Sequence, residues 1–286
     1  MSTLLYIVWD ANPDMFTIPG IDWPIRWYGM FFALAFVCSQ FVMARVYKTE
    51  LRTQNNLDIL TLYIIAGTVI GARLGHCLFY DPAHYLSHPL EILKIWEGGL
   101  ASHGGAIGII TAMWLYCRKT KENWLWIFDR IILVVPLSAV FIRSGNLMNS
   151  EIVGTPSNAA WAFQFLNNYE DQMALIHHGT AIPPRHPAQL YEAVFCLFLT
   201  ILMIWLWRKK RDRFPQGFMF GLFCVLLFSE RFIDEFFKMP QEGWEAGLPI
   251  NMGQILSIPF ILIGIVFMIW AKKRKQYHVL PDSTVQ

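Results

Sequence analysis

Charge is scarce in this chain: of 286 residues only 15% are Asp, Glu, Lys or Arg, where a water-soluble domain carries about a quarter. The five cysteines, Cys38, Cys77, Cys117, Cys196 and Cys224, stand apart, with no CxxC pair and no histidine at ligand spacing. A disulfide framework and a zinc site are not expected, and thiols packed among helices are. No basic n-region opens the chain, whose first 24 residues carry Asp10, Asp14 and Asp22. A cleavable signal peptide is therefore not expected, and the first apolar span would double as the insertion signal. Nor does the sequence repeat itself, which weighs against the inverted-repeat transporter folds.

What is abundant is apolar sequence in long blocks. Hydrophobic residues make up 55% of the chain and aromatics 15%, with 12 Trp. About 20 apolar residues cross ~30 Å of hydrocarbon, and about seven blocks reach toward that length, near 27–46, 57–79, 100–117, 124–142, 188–207, 216–237 and 252–271. Asp129, Arg130 and Pro136 interrupt the fourth, as a bundle interior can tolerate. The segments following spans one, three, five and seven hold 15 of the 23 Lys and Arg residues. The positive-inside rule then puts the N-terminus outside and the C-terminus in the cytoplasm. The expected fold is an all-α integral membrane protein of about seven transmembrane helices, a single membrane domain over 1–271. An arm-like outer segment covers about 80–99, with a short interfacial helix suggested by Pro82, Pro89 and Trp96. A small periplasmic subdomain covers about 143–187. A polar cytoplasmic tail, 272–286, is expected to be disordered beyond Lys275.

Polar residues at span ends gather in four places. Ser102-His103-Gly104-Gly105 follows Gly98 and Gly99; a lone histidine there reads as a packed, hydrogen-bonded side chain, yet the glycines let backbone or lipid come close to it. Arg143, Asn146, Asn149 and Glu151 recur at spacings of three and two, reading either as a surface loop or as a site. Glu230, Arg231, Asp234, Glu235 and Lys238 close span six, and Arg231 with Glu235, four apart, could simply be an ion pair. Arg185-His186-Pro187 and Gln189, Tyr191 and Glu192 open span five. All four fall on the outer side by the charge pattern. Charged groups at membrane depth read as functional by default, so a reaction centre at the outer leaflet is the working expectation. A transporter is the main rival, but it needs polar groups along a path across the bilayer, and these collect near one face. A structural or assembly protein is a more distant alternative.

These residues resemble the prolipoprotein diacylglyceryl transferases. The resemblance runs from Trp27-Tyr28-Gly29 through Gly71-Ala-Arg73 and Gly98-Gly99 to His103-Gly-Gly105. It continues with Arg143-Ser-Gly-Asn146, Glu151 and Gly154, then His186-Pro-Ala-Gln189-Leu-Tyr191-Glu192. It ends with Glu230-Arg231, Glu235 and Asn251-Met-Gly253-Gln254, covering about 25–271. The resemblance implies transfer of a diacylglyceryl group from phosphatidylglycerol to the lipobox cysteine of a prolipoprotein in the bacterial inner membrane. It implies functional roles for Tyr28, His103, Arg143, Asn146, Glu151, Gly154, Arg231 and Glu235. No cofactor or metal is implied, and membrane lipid, not nucleic acid, is the expected company. Three positions depart from the family pattern: Leu227 replaces a tyrosine, Lys238 an arginine, and Thr155 an arginine after Gly154.

The chemistry suits these residues. An attacking thiol of pKa ~8.5 is mostly protonated at neutral pH, and a positioned base helps by about 10²–10⁴-fold. His103 suits that role by its intrinsic pKa. A departing phosphate gains charge, which arginine holds best where water is excluded; hence Arg143 and Arg231 as clamps. Glu151 and Glu235 would orient them or bind the headgroup, and Asn146 and Tyr28 would fix headgroup or ester oxygens. Alternatively an arginine's field or a neighbouring carboxylate lowers the thiol pKa, and His103 binds lipid.

Overall fold

The computed structural model describes residues 6–20, 22–95, 98–239 and 250–278. Helical stretches coincide with all seven expected spans: α1 (Trp27–Thr49), α2 (Gln54–Phe79), α4 (Ser102–Thr120), α5 (Trp124–Ile131) with α6 (Val135–Met148), α8 (Ala188–Lys210), α9 (Phe218–Asp234) and α10 (Met252–Arg274). Among the described residues four of these, α1, α2, α8 and α10, are long and apolar enough to cross a membrane, and α5 with α6 as one broken span makes five. The helical membrane class holds, then, but a count of seven is not reached on that measure. Helix α4 opens on Ser102-His103-Gly104-Gly105 and closes on Arg118 and Lys119. Helix α9 stops at Asp234 after 17 residues. The fourth span is not continuous. Pro136 sits in the first turn of α6, where its missing N–H costs nothing, whereas in mid-helix its ring would meet the carbonyl four residues back.

The chain forms two compact units, one of Met1–Val42 with Ile131–Tyr277, the other of Met43–Arg130 with His278 onward. The first contains strands as well as helices. β1 (Ile7–Trp9) pairs in parallel with β4 (Phe163–Phe165), which pairs antiparallel with β5 (Pro184–Arg185). Their core is Val153, Phe163 and Phe165, packed by Trp9, Leu147 and Leu190. β2 (Asp14–Ile18) and β3 (Trp23–Arg26) form a hairpin. Strands of two to five residues are too short for alternation to reveal, so an all-α expectation overlooked them. Between β4 and β5, α7 (Tyr169–His178) is capped by Asn168, whose side chain accepts the Asp171 N–H, and by Gly179 at φ +64°. In this unit α6 packs on α8, α8 on α9, and α9 on α10. The expected tail does not start free: Gln216 N–H donates to the Gln276 carbonyl at 2.7 Å and the Gln216 side chain to that of Tyr277 at 3.0 Å. Residues 279–286 lie outside the described set.

In the second unit α2 and α4 meet backbone to backbone. A Cβ on Gly71 would lie 2.4 Å from the Gly104 carbonyl, and one on Gly108 2.0 Å from that of Gly67. Small residues allow this approach, which apolar packing between larger side chains would forbid. Gly71→Ala should therefore destabilise the protein by about 1–3 kcal/mol through overpacking. Gly29→Ala, with nothing within 4 Å of the added carbon, should leave thermal unfolding in detergent unchanged. Equal midpoints for the two variants would contradict the seam.

After α2 the arm segment folds into α3 (Pro82–Ser87) and a 3-10 turn over Pro89–Leu93, near the expected interfacial helix; Trp96 lies outside the described residues. Buried Arg73 clasps this segment. Its Nε donates to the Ile92 carbonyl at 2.9 Å, Nη1 to Gly98 at 2.7 Å and Gly99 at 3.3 Å, and Nη2 to Glu91 at 2.6 Å. The exposed Glu91 carboxylate is held below its usual pKa by hydrogen bonds from Lys94 and His84. The charges that interrupt the fourth span are also matched within this unit. Arg130 Nε and Trp126 Nε1 donate to Glu50 at 2.7 and 2.6 Å, and Asp129 meets His278 at 2.8 Å.

Candidate active site

The last turn of α6 starts the site. Arg143 and Asn146 are three residues apart on one helical face, and Arg143 Nη1 donates to Asn146 Oδ1 at 3.1 Å. Asn146 is buried, and its Nδ2 donates to Glu151 Oε2 at 3.2 Å. An amide set between a cation and an anion has a fixed orientation: oxygen toward the guanidinium, nitrogen toward the carboxylate. Asn149 Nδ2 reaches the other oxygen, Glu151 Oε1, at 3.0 Å. The turn carrying Glu151 is strained, with Ser150 at φ +53° and β-branched Ile152 at φ +56°. Such conformations cost of order 1–3 kcal/mol and persist where neighbours hold them. Here Asn168 donates to the Ser150 carbonyl at 2.9 Å and Gln189 to the Glu151 carbonyl.

Tyr28, in the first turn of α1, packs against Gly145: a Cβ there would lie 2.8 Å from Tyr28 Cδ2. Its hydroxyl feels both Glu151 and Arg143. Gly154 has a steric reason to be glycine. A Cβ would meet the His186 and Phe237 carbonyls at 2.6 Å each, because the chain passes between them in a ladder: Gly154 N–H to His186 O at 2.9 Å, Thr155 N–H to Phe237 O at 2.8 Å. Arg185 underpins that ladder, with Nε on Asp171 at 2.7 Å and Nη1 on the Gly154 carbonyl at 3.3 Å. Just before α8, burial lowers the His186 imidazole below its usual pKa, and its Nδ1 lies 3.0 Å from the Tyr191 hydroxyl, which accepts from Trp161 Nε1 at 2.9 Å.

The charges meet at Glu192. This buried carboxylate from α8 forms ion pairs with both Arg143 Nε and Lys238 Nζ. Lys238, itself buried, also faces Asp234 at 3.1 Å and Glu235 at 3.3 Å. Glu235 thus pairs with Lys238, not Arg231. The Glu235 carboxylate packs where a side chain on Gly253 would stand, and Asn251 Nδ2 donates to the Glu235 carbonyl at 3.2 Å. Arg231 lies within the field of Glu192, and its side chain makes no hydrogen bond or ion pair among the described residues.

Of the residues singled out in the sequence, Tyr28, Arg143, Asn146, Glu151, Gly154, Arg231 and Glu235 all belong to the first unit. His103 belongs to the second, as the second residue of α4, and its side chain is exposed. Gly104 beside it is filled by α2 backbone: a Cβ would lie 2.3 Å from the Gly71 carbonyl. Glu192, Lys238 and Gln189 escaped selection as site residues. A signal existed: Gln189 and Glu192 are polar groups at i, i+3 in a largely apolar helix, and Gln189 reaches the Glu151 carbonyl while Glu192 reaches Arg143.

Apolar helices of bilayer length, with paired arginine, asparagine and glutamate among them, make this an integral membrane protein with a polar functional centre. Residues 13–270 match the family described as prolipoprotein diacylglyceryl transferase. A phosphatidylglycerol–prolipoprotein diacylglyceryl transferase of Chloroherpeton thalassium is 45% identical over 282 residues, covering 96% of this chain and 98% of that protein. Its namesakes in Tolumonas auensis and Bacteroides fragilis are 45% and 41% identical, over 94% and 95% of this chain and 99% and 98% of theirs. The chain belongs to the prolipoprotein diacylglyceryl transferase family and is a transferase.

Proposed function

We propose that this enzyme moves the sn-1,2-diacylglyceryl group of phosphatidylglycerol onto the lipobox cysteine of a prolipoprotein, with the Arg143–Glu192–Lys238 cluster as the donor side of its site. The sulfur of the acceptor attacks the glyceryl carbon that bears the phosphate. A C–S bond forms, the C–O bond breaks with its electron pair going to oxygen, and glycerol phosphate leaves. The thiol proton goes to a base, for which His103 has the suitable chemistry. The observation that carries this reading is the state of the two arginines. Arg143 is held by Glu192 at Nε and by Asn146 at Nη1, and the Arg231 side chain makes no hydrogen bond or ion pair among the described residues. Two guanidinium edges beside a buried network suit a phosphodiester whose charge grows as it departs.

Tyr28, Asn146, Glu151 and Glu235 would hold headgroup and ester oxygens or the arginines themselves, and Gly154 would keep the ladder beside them closed. The distribution of Lys and Arg favours the bacterial inner membrane with a periplasmic N-terminus and a site at the outer leaflet. Incubation of the purified protein with phosphatidylglycerol and a lipobox peptide should add one diacylglyceryl mass to the peptide. A peptide with serine in place of the cysteine should gain none. Absence of the adduct on the cysteine peptide, or an equal adduct on the serine peptide, would refute the reaction.

A further inference from the structure

Among the three cations of the cluster, the protein uses them unequally. Lys238 is saturated, its one ammonium facing Glu192, Asp234 and Glu235. The Arg231 side chain has no hydrogen bond or ion pair among the described residues. Arg143 lies between these extremes: its side chain is 18% exposed where that of Glu192 is 6%. Glu192 meets it at Nε and Asn146 at Nη1. A guanidinium is planar, and contacts at Nε and Nη1 together fix that plane. Asn146 alone would leave it free to swing about one hydrogen bond. Glu192 is held in its turn from behind by Lys238, in an α8 backbone anchored to the Glu151 segment through Gln189.

From this arrangement we propose that Glu192 is a positioning residue for the transfer: with Lys238 behind it, it sets the plane of the Arg143 guanidinium and so aims the remaining N–H groups at the phosphate of the donor lipid. This rests on the reading of Arg143 as the phosphate clamp. The competing account is that Glu192 serves only to neutralise a buried lysine. Misplacing a clamp by about 1 Å costs on the order of 10²-fold, and the loss falls on interactions made in the transition state, lowering kcat more than it raises KM. A mere counter-ion would instead affect folding.

The test is a cycle of E192Q and R143A, with turnover followed by mass spectrometry of a lipobox peptide over a range of phosphatidylglycerol concentrations. E192Q should lower kcat by about 10²-fold with little change in KM, and should cost nothing further in the R143A background, because the group it positions is gone. If E192Q alone unfolds, the E192Q/K238M pair removes the buried ammonium together with its counter-ion and stands in for it in the same cycle. Wild-type kcat in the glutamine variant, or a full further loss on top of R143A, overturns the role given to Glu192. Wild-type turnover by R143A overturns the clamp itself, a separate failure.

Discussion

Arg143→Ala should lower kcat/KM for phosphatidylglycerol by about 10²–10³-fold, or about 2.7–4 kcal/mol of transition-state stabilisation, as expected for loss of one anion-stabilising donor. The donor phosphate is a monoanionic diester, and the leaving group is a monoester that carries further charge. An arginine edge therefore gains strength along the reaction, and the loss should appear in kcat as well as KM. The fold should survive. Glu192 would keep Lys238 as a partner, so no buried carboxylate is orphaned, which is the usual reason such a deletion unfolds a protein. Arg143→Lys restores charge without the planar fork and should recover only part of the rate. Undiminished turnover by the alanine variant at saturating lipid would exclude Arg143 from the chemistry.

His103→Gln should slow transfer at pH 7 by about 10²–10⁴-fold, the range supplied by a positioned general base. Glutamine keeps the polar reach of imidazole but cannot take a proton. The pH dependence separates the two roles open to this residue. If His103 removes the thiol proton, the deficit should shrink as pH rises toward the thiol pKa of ~8.5, where the thiolate forms unaided. If it binds lipid, the deficit should be constant over that range. Exposure of the side chain in the first turn of α4 is compatible with a group that meets an incoming peptide. Full activity of the variant at pH 7 would remove His103 as the base.

The helical scaffold was legible in the sequence because membrane spans are long and depend on composition. What was not legible depended on where helices stop. Arg231 and Glu235 are spaced as an ion pair, and the spacing does not announce the competing cation four residues after Asp234. The helix ends at Asp234 with Glu235 as its C-cap, and the Glu235 carboxylate faces Lys238 from the turn that follows. The same ending makes Lys238 a buried hub, although in the sequence it looked like a peripheral lysine-for-arginine exchange. Pro136 divides the fourth span at a point where a bundle can tolerate either a kink or a break, and sequence does not choose between them. The strand pairing of Ile7–Trp9 with Phe163–Phe165 joins segments more than 150 residues apart, a contact no local pattern announces. The Arg143, Asn146, Asn149 and Glu151 series, by contrast, is local, and its spacings of three and two marked it in the sequence as either a surface loop or a site, without announcing the hydrogen bonds from Arg143 to Asn146 and from Asn146 to Glu151.

The glycine contacts of α2 and α4 bear on how this half of the protein meets a bilayer of changing thickness. Helices separated by side chains can slip past one another as rotamers readjust. Here carbonyls and Cα atoms abut directly, and weak Cα–H···O contacts recur along such an approach. The two should tilt together as one stiff plank, answering mismatch by leaning rather than by shearing. The Arg73-clasped arm and the first turn of α4, carried at one end of that plank, would then keep their mutual register in thin and thick membranes alike.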